Sequence, residues 1–230
     1  MAEFIQESTY LAVVLSLLAY MIGLKIKKHV SSSLLNPMLI SIVITITILC
    51  LFDIDYETYN KGAKHLTYLL TPATVCLAIP LYEQFQLLKK NWKAVMLGIL
   101  SGVFTNALVI LSMVILFDLK HEDYVTLLPK SITTAIGIDV SNELGGYVAI
   151  TVAAICITGV FGNVIGETVL RLFRIEEPIA KGVGLGTASH AIGTSKALEI
   201  GEVEGAMGSL SIVVTGILTV LLAPLFAQLW

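Results

Sequence analysis

The chain has 230 residues, 56% of them hydrophobic and only 13% charged, with a mean hydropathy of +0.88. A water-soluble domain of this length needs more charged surface, so the composition points to lipid as solvent. The net charge of −3 at pH 7 offers no basic surplus for a nucleic-acid partner.

The start, MAEFIQESTY, has no positive region ahead of the apolar run at 11–24, and lysines follow that run. It reads as a retained first span and not as a cleaved leader. Further on come long apolar runs, giving five in all at about 8–24, 34–52, 94–117, 146–170 and 206–229. Each approaches the roughly 20 residues that cross a hydrocarbon core of about 30 Å. Lipid offers no partner to free backbone groups, so the runs are predicted to be helices. They lack the alternation of a transmembrane barrel strand.

Three further stretches are apolar but interrupted: HLTYLLTPATVCLAIPLYEQ (65–84), LLPKSITTAIGIDVS (127–141) and GVGLGTASHAIGTSKALE (182–199). Each mixes Pro or Gly with Ser, Thr and a few charges. The cysteines, Cys50, Cys76 and Cys156, lie inside apolar stretches without metal or disulfide spacing, and read as small buried hydrophobes.

Nine of the 14 basic residues fall in three connections: Lys25, Lys27, Lys28; Lys89, Lys90, Lys93; and Arg171, Arg174, Lys181. Acidic residues gather at Asp53, Asp55, Glu57 and at Asp118, Glu122, Asp123. The positive-inside rule places the basic connections in the cytoplasm. The resulting path has about seven crossings, with 127–141 as a re-entrant segment. The fold class is therefore an all-α polytopic membrane protein, one integral membrane domain over 1–230.

The halves, about 1–120 and 121–230, echo each other. Thr71–Thr74 is TPAT and Thr187–His190 is TASH; they follow a Lys-Gly pair by eight and by four residues, and each is followed by a glutamate at the same spacing, Glu83 and Glu199. The path runs 34–52, 65–88 and 94–117 out, in, out, and their counterparts in, out, in. Inverted repeats with interrupted helices are an arrangement of secondary transporters, whose sites lie at the breaks.

The residues at the interruptions suit a small anion. As an ordinary span, 182–199 would place Lys196 near the centre at about 2.5–3.5 kcal/mol, and four glycines would each cost up to roughly 1 kcal/mol. A break would instead expose backbone N–H groups at a half-helix start. Thr187, Ser189 and Thr194 add small donors, and His190 and Lys196 add positive or titratable groups. The alternative is that the small residues serve helix packing and that Lys196 snorkels to an interface. Thr71, Pro72 and Thr74 would be the matching half-site, with a simple proline kink as the alternative. Lys130, Ser131, Thr133 and Thr134 form a third anion-suited group, against an interfacial anchor. Asp139, Glu167 and Glu199, with Glu83 and Asn163, are candidates for ion coupling; the alternative is that most of them, lying near span ends, are solvated loop residues. No spacing suggests a metal site or cofactor. Ser189 and His190 are neighbours, which point apart on a helix, so a nucleophile with its base is not indicated and no enzyme is expected.

The stretches LLNP (34–37), TPATVCLAIPLYEQ (71–84), LLPKSITTAIG (127–137) and GLGTASHAIGTSKALEIGEVEGAMGSLS (184–211) resemble the LrgB/CidB family over essentially the whole chain. That family is described as antiholin-like, or as modulating murein hydrolase export and autolysis, and is similar to the C-terminal part of the plastidial glycolate/glycerate translocator. Bacterial relatives are associated with pyruvate uptake beside a small LrgA/CidA-type membrane protein. The resemblance implies a multi-pass protein of the bacterial cell membrane. Together with the residue reading, it implies a secondary transporter, or transport subunit, for a small monocarboxylate such as pyruvate, glycolate or glycerate. A holin- or antiholin-like regulator is the alternative, and a homo-oligomer is left open.

Overall fold

A computed structural model describes residues 10–29 and 37–230, apart from the side chains of Leu70 and Thr74. Residues 34–36 of LLNP and the first residues of the span at 8–24 lie outside the described residues. The chain divides after Cys76 into two compact units. All regular structure among the described residues is helical.

The first unit holds α1 (Leu11–His29), α2 (Pro37–Leu51), α3 (Tyr56–Tyr68) and α4 (Leu70–Cys76). The α1 and α2 backbones approach at Gly23, where a Cβ would lie 2.9 Å from Pro37 Cα. Ser16 Oγ shares a hydrogen bond of 2.8 Å with the Tyr59 hydroxyl, tying α1 to α3. Asp55 caps α3 by accepting from Thr58 N at 2.6 Å. That bond favours the carboxylate and holds Asp55 below its usual pKa.

The second unit holds α5 (Ala78–Glu83), α6 (Phe85–Phe117), α7 (His121–Leu127), a 3₁₀ turn (Leu128–Ser131), α8 (Thr134–Glu143), α9 (Val148–Leu172), α10 (Pro178–Ile200) and α11 (Glu202–Ala227). One core cluster joins Val95, Ile99 and Val103 of α6 to Val183 of α10 and Met207 of α11. A second joins Ile110 and Val114 of α6 to Tyr124 and Leu128 and to Ala227. Small residues let α10 and α11 meet backbone to backbone: a Cβ at Gly186 would lie 2.8 Å from Gly208 Cα.

The two ends of the 127–141 stretch meet at one layer of hydroxyls. Thr126 Oγ1 accepts from Tyr147 N at 2.7 Å, and Thr151 Oγ1 donates to Ser141 Oγ at 2.7 Å. The 3₁₀ turn and α8 thus leave from and return to the same level.

Among the described residues four helical runs are long and apolar enough to cross a membrane: Tyr56–Glu83, Phe85–Phe117, Val148–Leu172 and Glu202–Ala227. The chain is therefore an integral, multi-pass membrane protein in a lipid bilayer. Two expectations need correcting. Cys50, Cys76 and Cys156 are exposed and free, not buried. In lipid the outer surface is apolar as well, so an apolar run does not say which of its residues face inward. Of the nine basic residues expected in connections, only Arg174 lies between helices: Lys25, Lys27 and Lys28 end α1, Lys89, Lys90 and Lys93 lie in the first turns of α6, Arg171 ends α9 and Lys181 begins α10. Lysine and arginine are good helix formers, so the helices continue past their apolar runs.

Candidate functional site

The α10 helix breaks at Ser189 (φ −136, ψ 22) and His190 (φ 43, ψ −135). A positive φ in a residue with a Cβ costs about 1–3 kcal/mol and persists only where its surroundings impose it. Helix α9 supplies those surroundings. A Cβ at Gly162 would overlap Ser189 Oγ, and one at Gly159 would lie 2.7 Å from His190 Cε1. His190 is buried, and its Nε2 donates to the Ile155 carbonyl at 3.1 Å, which fixes the proton on that nitrogen. Beyond the break, Asn163 Nδ2 donates to the Ile192 carbonyl at 2.9 Å. The polar groups of the break are thus largely engaged by α9. The interruptions around TPAT fall elsewhere in the echo: Leu69 and Leu77 separate α3, α4 and α5, flanking the motif, while the α10 break lies inside TASH.

A cavity of about 430 Å³ lies between α6, the 3₁₀ turn and the first half of α10. Lys130, Ser131 and Thr187 all line it, so it unites two of the three interrupted stretches. Lys130 is half-buried, and its Nζ donates to Ser131 Oγ at 3.4 Å. Ser131 Oγ donates onward to Asn106 Oδ1 at 3.2 Å, while Asn106 Nδ2 holds the Leu128 carbonyl at 3.0 Å. The lone pairs of Ser131 are therefore directed at the ammonium. Among the described residues no carboxylate lies within ion-pair distance of Lys130. The Thr187 hydroxyl is buried and has no hydrogen-bond partner there.

The remaining sequence candidates are spread differently. Ser189 and His190 pack on α9, away from the cavity lining. Thr194 is buried, with Oγ1 facing Gly208 of α11 and without a hydrogen-bond partner among the described residues. Lys196 Nζ lies 3.1 Å from Glu167 Oε2 and 3.2 Å from Glu199 Oε2, so the former cation candidate and two coupling candidates form one ion-pair group. Thr133 and Thr134 begin α8, half-buried, and Asp139 is exposed on α8. Thr71 and Pro72 are exposed on α4 in the first unit, and the Thr74 side chain lies outside the described residues.

Sequence reasoning passed over α6. Gly98, Ser101, Gly102, Thr105, Asn106 and Val109 all line the cavity. Their spacing of three and four residues marks one helix face. The signal was a small and polar stripe inside a run read only for its hydropathy.

Comparison with known proteins gives one consistent result. The family model described as the LrgB-like family matches residues 16–229. The chain is 38% identical to the antiholin-like protein LrgB of Bacillus cereus (strain B4264), over 94% of this chain and 95% of that protein. The same figures hold for the antiholin-like protein LrgB of Bacillus anthracis (strain CDC 684 / NRRL 3495). No solved structure matches.

Proposed function

The chain belongs to the LrgB-like family, an antiholin-like membrane protein family and not one of enzymes, and we propose that it carries a small monocarboxylate across the membrane through the Lys130 cavity. The observation that carries this reading is a half-buried lysine with no counter-ion among the described residues, facing a cavity lined by neutral hydroxyl and amide groups. An ionisable group at membrane depth is costly unless it serves a pathway or finds a partner. One cation with hydroxyl donors balances a monoanion. A dianion would leave one charge unbalanced in a medium of low dielectric. Thr187 can donate to the hydroxyl or keto oxygen beside such a carboxylate, while Ser131, its proton given to Asn106, can only accept from a substrate hydroxyl.

The strained break at Ser189–His190 supports alternating access, because α10 lines the cavity with one half and packs its hinge on α9. Seven crossings, a re-entrant 127–141 and the inverted repeat belong to the same proposal. They rest on the charge pattern, the sequence echo and the meeting of both ends of 127–141 at Thr151, whose hydroxyl reaches the Thr126 carbonyl and Ser141 Oγ. A role for Thr71–Thr74 rests on the echo alone. So does the proposal of a small LrgA/CidA-type partner on the family resemblance.

The test is uptake of labelled pyruvate and glycolate into proteoliposomes. Saturable uptake whose KM Lys130→Gln raises about tenfold or more and Lys130→Arg raises less is expected. Unsaturable uptake, or uptake indifferent to Lys130, overturns the reading. The relatives' description as antiholin-like favours a second reading, a membrane regulator of the holin type. Size-graded dye leakage without saturable uptake would select it.

A further inference from the structure

A second cavity, of about 240 Å³, lies at the end of α9 and is lined by Arg171, Arg174 and Lys181 together with Glu167 and Glu176. Glu167 is already engaged: Oε1 accepts from Arg171 at 3.1 Å and Oε2 pairs with Lys196 at 3.1 Å. Among the described residues no carboxylate lies within ion-pair distance of Arg174 or Lys181. Arg174 sits at φ 54 in a turn closed by Arg174 N donating to the Arg171 carbonyl at 3.1 Å and Ile175 N to the Leu170 carbonyl at 2.8 Å. Two cations outside any ion pair among the described residues thus come from a defined turn and from the first turn of α10 and line one concavity, whose basic residues (Arg171, Arg174, Lys181) outnumber its carboxylates (Glu167, Glu176).

The position of the cavity narrows the ligand. Leu172 and Phe173, at the same end of α9, are 75% and 70% exposed. They end a helix long and apolar enough to span the membrane. The cavity therefore opens where hydrocarbon gives way to headgroups, a place where basic pockets take anionic headgroups. Guanidinium groups match phosphate oxygens in pairs, and a neighbouring ammonium adds a point charge.

We propose that Arg171, Arg174 and Lys181 form a binding site for a phosphate group, presented by an anionic phospholipid or by free inorganic phosphate. The full-length protein is purified in detergent with added phosphatidylcholine, and its melting temperature is followed during titration with phosphatidylglycerol, phosphatidylcholine or inorganic phosphate. Phosphatidylglycerol should raise the melting temperature in a saturable way, and further phosphatidylcholine should not. Arg174→Gln and Lys181→Gln should each weaken the response by about fivefold, a contribution of roughly 1 kcal/mol per cation near a membrane surface. Arg174→Lys should keep most of it, and Lys64→Gln, an exposed cation elsewhere, should change nothing. A response to inorganic phosphate with the same variant dependence identifies a free anion as the source, and a response to phosphatidylglycerol alone identifies the lipid. Equal responses to both lipids with none to phosphate, or wild-type responses in Arg174→Gln and Lys181→Gln, overturn the proposal.

Discussion

Two lysines in the second unit carry opposite arrangements. Lys196 lies between Glu167 and Glu199 at 3.1 and 3.2 Å, its charge balanced from both sides. Among the described residues Lys130 has only the Ser131 hydroxyl at 3.4 Å, and it faces a cavity. From composition the two are alike, each a single cation among hydroxyls and apolar residues. On the proposed reading, a charge marks a ligand site where the fold withholds its counter-ion. Where the fold supplies one, the charge links helices, here α9 to α10.

The largest expected effect tests this contrast directly. Lys130→Met should raise the KM for pyruvate uptake about 10- to 100-fold, the loss of a charge-assisted hydrogen bond of about 1.5–3 kcal/mol. Lys196→Met, assayed in the same proteoliposomes, should leave KM near the wild-type value. Equal losses in the two variants would break the comparison.

Next in size is the fit of the break against α9. Gly162→Ala should lower the melting temperature in detergent, since its methyl overlaps Ser189 Oγ and overpacking costs about 1–3 kcal/mol. Gly184→Ala, where an added Cβ meets nothing within 4 Å, should be neutral or stabilising. A similar drop in both variants would mean that the break is not held by α9.

The ion-pair group should be worth less. Glu167 and Glu199 are about half exposed, so solvent screening discounts the pairing of each with Lys196 to at most about 1 kcal/mol. A double-mutant cycle with Lys196→Met and Glu167→Gln, read by melting temperature, should return a coupling of that size. Near-zero coupling would remove the linking role given to Lys196.

The smallest change concerns the orphan hydroxyl. Thr187→Val should alter the melting temperature little, because the buried hydroxyl has no partner to lose. It should still raise KM, if only by a few-fold, because the hydroxyl lines the cavity. Unchanged KM would confine the substrate to Lys130 and Ser131.

Much of the architecture was legible in the residues. Apolar runs at 94–117, 146–170 and 206–229 correspond to α6, α9 and α11, because lipid demands internally bonded helices of spanning length. The same reasoning could not find Asn106. Its value lies in holding Ser131 and the Leu128 carbonyl, both more than twenty residues away in sequence. Nor could it tell that the Ser189 and His190 side chains face α9, since the backbone turn that sends them there depends on the space left at Gly159 and Gly162.

The sequence by itself determined the solvent, the helical class, the interrupted stretches and which residue types stand in them. Those follow from transfer energies and backbone hydrogen bonding, which act locally along the chain. Only the tertiary structure decided which of the polar groups were spent. Pairing depends on distance across helices: it gave Lys196 two carboxylates, His190 a carbonyl and Asn163 the Ile192 backbone, and it left Lys130 and Thr187 turned toward the same cavity.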